Sequence, residues 1–400
     1  MKRCLIIGGG IAGLTAASIL SSKNISVTVL ESSPKLGGRT YSFLDKTTDT
    51  IIDNGQHIMM GCYKDTLSFI KLIGAEGNLE YQKNLSLKFL DRGKKEFQIN
   101  ADSYFYPINL LFAILNYNVL KTSEKISFLL FIAKLPLVSK RSIKNLTVKD
   151  WLEKENQDFN VIKNFWEILC TGALNTNLEK ASALVFYDVL IQIFFKGNFA
   201  STIILPKYGL SESLINPAEK FIKKNNGQVI LSETVKEMVI ENSRVIVVKS
   251  ENNIYNDFDY VISAIPLFAL KKIILKNKKN IKQNLEPALS AGRLELNLEL
   301  KQEYSTILNI HIWLNDSKLS EKFYGFLDSS LHWIFVKENR LNVVISDADY
   351  LIDKSNDELY DFVMDELVQY ISINKSEVQH YKFIKENLRF FLDFIFRERL

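Results

Sequence analysis

Cysteine and histidine are scarce in this chain of 400 residues, and their scarcity closes off several classes of function. The three cysteines, Cys4, Cys62 and Cys170, form no CxxC and no spaced pair. Neither a disulfide framework nor a structural zinc site is therefore expected. Cys170 lies among apolar residues without a histidine companion and reads as a packed, inert thiol. Four histidines (His57, His311, His332, His380) are too few for a multi-histidine metal centre, and no metal is expected. This thiol usage suits a reducing, cytoplasmic compartment. No apolar run reaches the ~20 residues that a membrane-spanning helix needs. An excess of one charge sign is also lacking. Fifty Lys and Arg stand against 46 Asp and Glu, a net +4, which gives no reason to expect a nucleic-acid partner.

Apolar residues make up 47% of the chain and charged residues 24%. These values suit a large buried core and exclude disordered, collagen-like and coiled-coil readings. At roughly 150 residues per domain, the length points to two or three domains. The opening MKRCLIIGGGIAGLTAASIL has the basic start and apolar run of a secretory signal, but its glycines argue against one.

Those glycines have a better explanation. Residues 3–7 (RCLII) form a short apolar run of the kind found in buried parallel strands. Gly8-Gly9-Gly10-Ile11-Ala12-Gly13 follows at once, then LTAASILSS at helical spacing, then the β-rich ISVTVLE ending in Glu31. Strand, GxGxxG, helix, strand, acid is the order of a dinucleotide-binding βαβ unit. Gly8 permits the tight turn, Gly10 lets backbone approach a pyrophosphate, and Gly13 lets the helix pack on the strand. The helix N-terminus presents free N–H groups and a positive dipole end to phosphate. Glu31, 18 residues after Gly13, is placed to accept ribose hydroxyls and disfavours a 2′-phosphate. After it, Gly37-Gly38-Arg39 is more than a plain NAD domain needs. It suits a longer cofactor, with Arg39 on phosphate or on a flavin edge; a loop turn with a solvated arginine is the bland alternative.

Further along, in IIDNGQHIMMGCY (51–63), Asp53-Asn54-Gly55-Gln56-His57 lies between two apolar stretches and reads as a structured loop, in which His57 by itself is an ordinary loop histidine. Residues 103–138 read as two apolar helices broken by KTSEK. They are either an interior hairpin or a wedge entering one leaflet of a membrane. Residues 147–196 are helical in pattern. A strand, the PKYGL turn, a helix from about Glu212 and GQVIL occupy 203–231. SETVKEMVI (232–240) with SRVIVVKS (243–250) is a period-two hairpin, DFDYVISAIP (257–266) a strand, and 291–347 strand-rich, with RLELNLEL and NIHIWLN read as a cavity floor.

The quoted motifs resemble a known family. GGGIAGL, LGGRTYSF and DNGQHIMMGCY are similar to hydroxysqualene dehydroxylase, the squalene-associated FAD-dependent desaturase, within the amine oxidase and phytoene desaturase class of flavoproteins. LCTGALNTNLEKASALVF (169–186), ILPKYGLSESLINPA (204–218), DYVISAIP, NIHIWLND, FLDSSLHWIF and VVISDAD follow in the same order, so the resemblance runs from residue 3 to about residue 386. It implies an α/β fold: a Rossmann-like FAD-binding domain of the glutathione-reductase-2 type (1–80 and 201–275), interleaved with a mixed α+β substrate domain (81–200 and 276–385). FAD would be held by Gly8, Gly10, Ile11, Ala12, Gly13, Glu31, Gly37, Gly38 and Arg39. Gly55, Gln56 and His57 would lie near the flavin ring, and the backbone of Val235 at the adenine edge. No residue is assigned a catalytic role.

The implied reaction is reduction of hydroxysqualene to squalene in hopanoid biosynthesis. A carotenoid-type desaturase or flavin amine oxidase is the alternative, because the same motifs serve either direction of hydride transfer. With no second GxGxxG, electrons must come from an external donor. The C30 isoprenoid substrate favours the wedge reading of 103–138, and hence a protein peripheral on the inner face of the cytoplasmic membrane. The family's C-terminal strand and turn, of the form LFLAGDW, have no counterpart in the atypical tail 386–400 (LRFFLDFIFRERL from 388). Loss of a charge-assisted hydrogen bond there is expected to weaken flavin binding roughly 10- to 100-fold, and a non-catalytic remnant is the third reading.

Overall fold

The computed structural model describes residues 1–241, 244–275, 305–315 and 317–386. Among the sequence expectations, RLELNLEL and the tail beyond 386 lie outside them. The chain divides into two compact units. One comprises 1–54, 64–80 and the described part of 206–301; the other comprises 55–63, 81–205 and the described part of 302–400. Residues 55–63 thus group with the second unit, although they fall inside the 1–80 stretch that the sequence reading gave to the first.

The first unit is built on a four-stranded parallel sheet. Its order is Gln228–Ile230, β2 (Ser26–Leu30), β1 (Arg3–Ile7) and Tyr260–Ser263. Burial concentrates in the two central strands, at Cys4 to Ile7 and at Val27, Val29 and Leu30, as expected for the inner strands of a parallel sheet. Helix α1 (Ile11–Ser21) follows β1 directly and buries Leu14, Ala17 and Ser18. A second helix, Asn216–Lys224, precedes the edge strand and is introduced by one π-type turn at Ser211–Ile215. The predicted hairpin is Val235–Glu241 paired with Arg244–Ser250, to which Ile254–Tyr255 adds a short third strand. Its Val235, Met238 and Val248 pack with Leu5, Ile7 and Leu30 in one core.

The second unit has a seven-stranded mixed sheet. The order is Val378–Glu386, Ile307–Leu314, Arg340–Ile345, Trp333–Lys337, Phe323–Phe326, Ser86–Leu90 and Glu96–Asn100. Strict alternation decides its faces. Leu308, Ile310, Ile312 and Leu314 join Leu341, Val343 and Ile345 in a core closed by Leu359, Val363 and Leu367 of the helix Asn356–Tyr370. Ser355 caps that helix in a reciprocal box with Glu358. Part of the opposite face, with Phe335 and Val344, belongs to a helical core in which Phe128 stacks on Trp166 at 4.6 Å and Trp166 Nε1 donates to Gln157.

The two helices expected in 103–138 are present, but KTSEK starts the second one and does not fill the break between them. Helices run Ile108–Leu115 and Thr122–Lys134, and TSEK forms the first turn of the second. The Glu124 carboxylate accepts from the Lys121 amide at 2.7 Å, so these polar residues start a helix. Thr50–Asp53 and Met59–Met60 are short strands on either side of the DNGQH loop.

Candidate functional site

The order of the parallel sheet reverses at β1, with β2 on one side and Tyr260–Ser263 on the other, and such a switch point leaves a crevice beyond the carboxyl ends of the strands. The Gly8 amide donates to the Leu30 carbonyl at 2.8 Å, and the Ala264 amide to the Ile7 carbonyl at 2.8 Å. Gly8 adopts φ 107°, which a side chain resists. At Gly13 a Cβ would collide with the Gly8 carbonyl oxygen, so helix and strand touch only because this residue has none. Gly10 is different. A Cβ there would meet nothing nearer than the Gly38 Cα, at 3.9 Å, so open space lies over this backbone. Gly38 borders the same space with φ 61°, and the Gly37 amide donates to the Gly9 carbonyl at 2.8 Å.

Helix α1 begins at Ile11 with no side-chain cap and no acid in its first turn. Its leading amides and dipole therefore face outward undiluted, beside the exposed Ala12. Glu31 is buried at the end of β2. One of its oxygens accepts the Gly9 amide at 2.6 Å, and the other accepts the Ser33 amide at 2.8 Å. The oxygen bound to Ser33 also accepts the Ser32 hydroxyl at 3.2 Å, and the oxygen bound to Gly9 keeps a further lone pair for a hydroxyl donor. An anion-receiving helix end, a glycine-floored cradle and an adjacent buried carboxylate together fit a dinucleotide. Gly8, Gly10, Ile11, Ala12, Gly13, Glu31, Gly37 and Gly38 are brought together here.

Arg39 is exposed on the loop that follows. Its carbonyl accepts from the Asn54 side-chain amide at 3.2 Å, and the Asn54 backbone amide donates to the Tyr41 carbonyl. Asp53 accepts from Ser42 at 2.7 Å and from the Leu210 amide at 2.8 Å. The first two residues of DNGQH thus hold the LGGRT loop and the turn before Asn216–Lys224. Gly55, half-buried Gln56 and exposed His57 group with the second unit, where a Cβ on Gly55 would lie 3.1 Å from the Asn309 amide nitrogen.

Val235 is buried by its side chain in the first unit's core, leaving its backbone at the strand start. Glu233, two residues earlier, was not singled out from sequence. Its amide donates to the Glu31 carbonyl at 2.8 Å. Its carboxylate accepts from Ser250, Asn252, Asn253 and Tyr255, and these bonds, Ser250's foremost, lower its pKa to about 2. A four-donor anchor thereby fixes the start of the Val235 strand beside Glu31. Spacing held no signal for this, because the donors arrive from the far end of a hairpin.

No group of three metal-ligating side chains occurs among the described residues. Cys170 is fully buried, and burial raises its thiol pKa.

Residues 11–384 match the family described as flavin containing amine oxidoreductase. The chain is 23% identical over 382 residues to hydroxysqualene dehydroxylase of Zymomonas mobilis, covering 95% of this chain and 85% of that one. It is also 23% identical to a 15-cis-phytoene desaturase of an Oncidium hybrid cultivar, over 91% and 64% of the two chains. Among solved structures, an oxidoreductase from Methanosarcina mazei shares the fold, with a TM-score of 0.72, 15% identity and coverage of 95% and 87%. The chain belongs to the flavin-containing amine oxidoreductase family and is an FAD-dependent oxidoreductase.

Proposed function

We propose that this chain reduces an allylic isoprenoid alcohol of the hydroxysqualene kind to its hydrocarbon. The observation that carries the reading is the likeness to hydroxysqualene dehydroxylase over 95% of the chain. Overall, the alcohol takes up two electrons and two protons, the C–O bond breaks, and water leaves. Gly8, Gly10, Ile11, Ala12, Gly13, Glu31, Gly37 and Gly38 would hold FAD, which would supply the hydride when bound and reduced. The chain's own part is to bind, orient and keep dry. With one dinucleotide motif in the sequence, the electrons come from an external donor.

A lipid-like substrate agrees with the outer face of residues 103–138. Among the described residues no helix is long and apolar enough to cross a membrane. Yet Phe105 ahead of the first helix, Ile126 and Leu130 on the second, and Leu137 in the turn after it are 71%, 52%, 58% and 85% exposed, while the other faces of both helices are buried in a core. From 103 to 149 the sequence carries seven Lys or Arg and one acid, Glu124, which is buried in a cap. Exposed apolar side chains in a segment rich in basic residues suit an anionic bilayer surface, and we assign it peripheral membrane contact.

Incubation of the FAD-loaded protein with hydroxysqualene and a chemical reductant tests the reaction. Squalene, detected by mass spectrometry, is the expected product. If none forms while phytoene is dehydrogenated under an electron acceptor, the desaturase reading, favoured by the phytoene desaturase relative, replaces this one.

A further inference from the structure

The sheet of the second unit carries a polar stripe that packing does not explain. On the strand Ile307–Leu314 the residues facing away from the helix Asn356–Tyr370 are Asn309, His311 and Trp313, and the neighbouring strand adds Arg340 and Asn342 to the same face. Asn309, His311 and Asn342 are 2%, 0% and 0% exposed. His311 stands opposite Asn342, whose amide nitrogen lies 3.3 and 3.2 Å from the two ring nitrogens. The side-chain carbonyl oxygens of Asn309 and Asn342 are both buried and find no hydrogen-bond partner among the described residues.

Two orphaned acceptors on one face are costly, since a buried polar group without a partner loses its hydration and gains nothing in return. They lie in diagonal register, Asn309 opposite Val344 and Asn342 two residues earlier. Such positions are about 7–8 Å apart, close enough for both amides to reach a single oxygen atom. Next to them the face turns apolar, with Val344, Phe335 and Ile307 in or against the helical core. An apolar wall ending in two bare acceptors fits a hydrocarbon that carries one O–H group.

We infer that Asn309 and Asn342 form the subsite for the substrate's hydroxyl, which donates to their side-chain carbonyls. Its identification with an isoprenoid alcohol rests on the function proposed above. The number of acceptors is informative. An alcohol has one O–H proton and satisfies one of them, whereas the same oxygen leaving as water has two and satisfies both. The pair is therefore better matched to the departing group than to the bound ground state, which is the condition for raising turnover and not merely affinity. No proton transfer is assigned to these amides, which position the group.

The test compares the affinities of the FAD-loaded protein for hydroxysqualene and for squalene in detergent micelles, in wild type and in Asn309→Leu with Asn342→Leu. Wild type is expected to prefer the alcohol by about 10-fold or more, because the hydrocarbon leaves the acceptors bare. In the double variant the ratio falls to about one, squalene binding persists, and melting occurs no lower than in wild type, since two orphaned oxygens are gone. In the Asn342→Leu single variant kcat falls more than KM rises. An unchanged alcohol preference in the double variant overturns the inference, as does equal binding of the two molecules by wild type. Binding of neither molecule by wild type sinks the isoprenoid reading instead. The subsite is then decided by the side-chain amide resonances of Asn309 and Asn342, titrated with a short allylic alcohol and with the hydrocarbon of the same skeleton. Shifts with the alcohol alone sustain it, and shifts with neither overturn it.

Discussion

Glu31 holds the Gly9 amide on one carboxylate oxygen at 2.6 Å, so the acid at the end of β2 fixes the backbone of the glycine loop at the end of β1. The residue has two tasks, one toward the loop and one toward a ribose. Glu31→Gln places an N–H₂ or a weaker carbonyl against amides that need a charged acceptor. Hydrogen bonds to charged groups contribute about 1.5–3 kcal/mol, which predicts FAD binding weaker by roughly 10- to 100-fold. Flavin absorbance retained after desalting, followed by calorimetric titration, reads this directly. Affinity within a factor of two of wild type refutes the double role.

The glycines separate folding from binding. Gly10 has open space above it, whereas a Cβ on Gly13 meets the Gly8 carbonyl. Gly10→Ala is therefore expected to melt within a few degrees of wild type and yet retain no flavin, because the methyl occupies the cradle. Gly13→Ala must push α1 off β1 and should lose stability whether or not FAD is present. Thermal melts of both variants with and without added FAD make the comparison; equal destabilisation of the two contradicts it.

Much of the first unit was legible because its rules are local. A strand, a glycine turn, a helix and an acid at fixed spacing dictate one another within 30 residues, and β1, α1 and β2 lie where the pattern put them. What stayed hidden depends on partners distant in sequence. DNGQH reads as one motif, but Asp53 and Asn54 bond to Leu210 and to the loop of Arg39, while Gly55 lies against Asn309. The alternation in NIHIWLN marked a strand and the polarity of Asn309 and His311. Only strand pairing reveals that Asn342 completes the stripe. KTSEK was misread because a run of polar residues breaks or starts a helix depending on one capping bond, that of Glu124 to the Lys121 amide.

Stability should fall with acid through one histidine of the second unit. Burial lowers the His332 pKa to about 4, against a weaker opposing effect of the Asp347 charge. Its Nδ1 accepts the Ser346 amide at 2.9 Å, a bond open only to the neutral ring. The unfolded chain protonates this histidine near pH 6.5 and the folded one only near 4, so between those values the unfolded state holds more protons. Stability contributed by the neutral ring is thus complete above about pH 6.5, declines as pH falls, and is lost by about pH 4. The span corresponds to about 3 kcal/mol. His332→Asn retains an acceptor for Ser346 and cannot titrate, so its denaturant midpoint should depend less steeply on pH across this window. Parallel curves for the two proteins contradict the assignment.

The membrane-facing assignment makes a prediction that leaves the fold untouched. Leu130 and Leu137 are 58% and 85% exposed, so replacing them removes little packing. Leu130→Glu with Leu137→Glu adds two negative charges to the apolar face and offsets the positive charge of this segment. Sedimentation with vesicles containing phosphatidylserine should then drop at least 10-fold, with the melting temperature unchanged within about two degrees. Wild type should bind neutral phosphatidylcholine vesicles more weakly than anionic ones, and added salt should narrow that gap, since screening acts on the lysine contribution and not on apolar insertion. If the double variant sediments like wild type, residues 103–138 are an ordinary surface, and the lipid substrate must enter elsewhere.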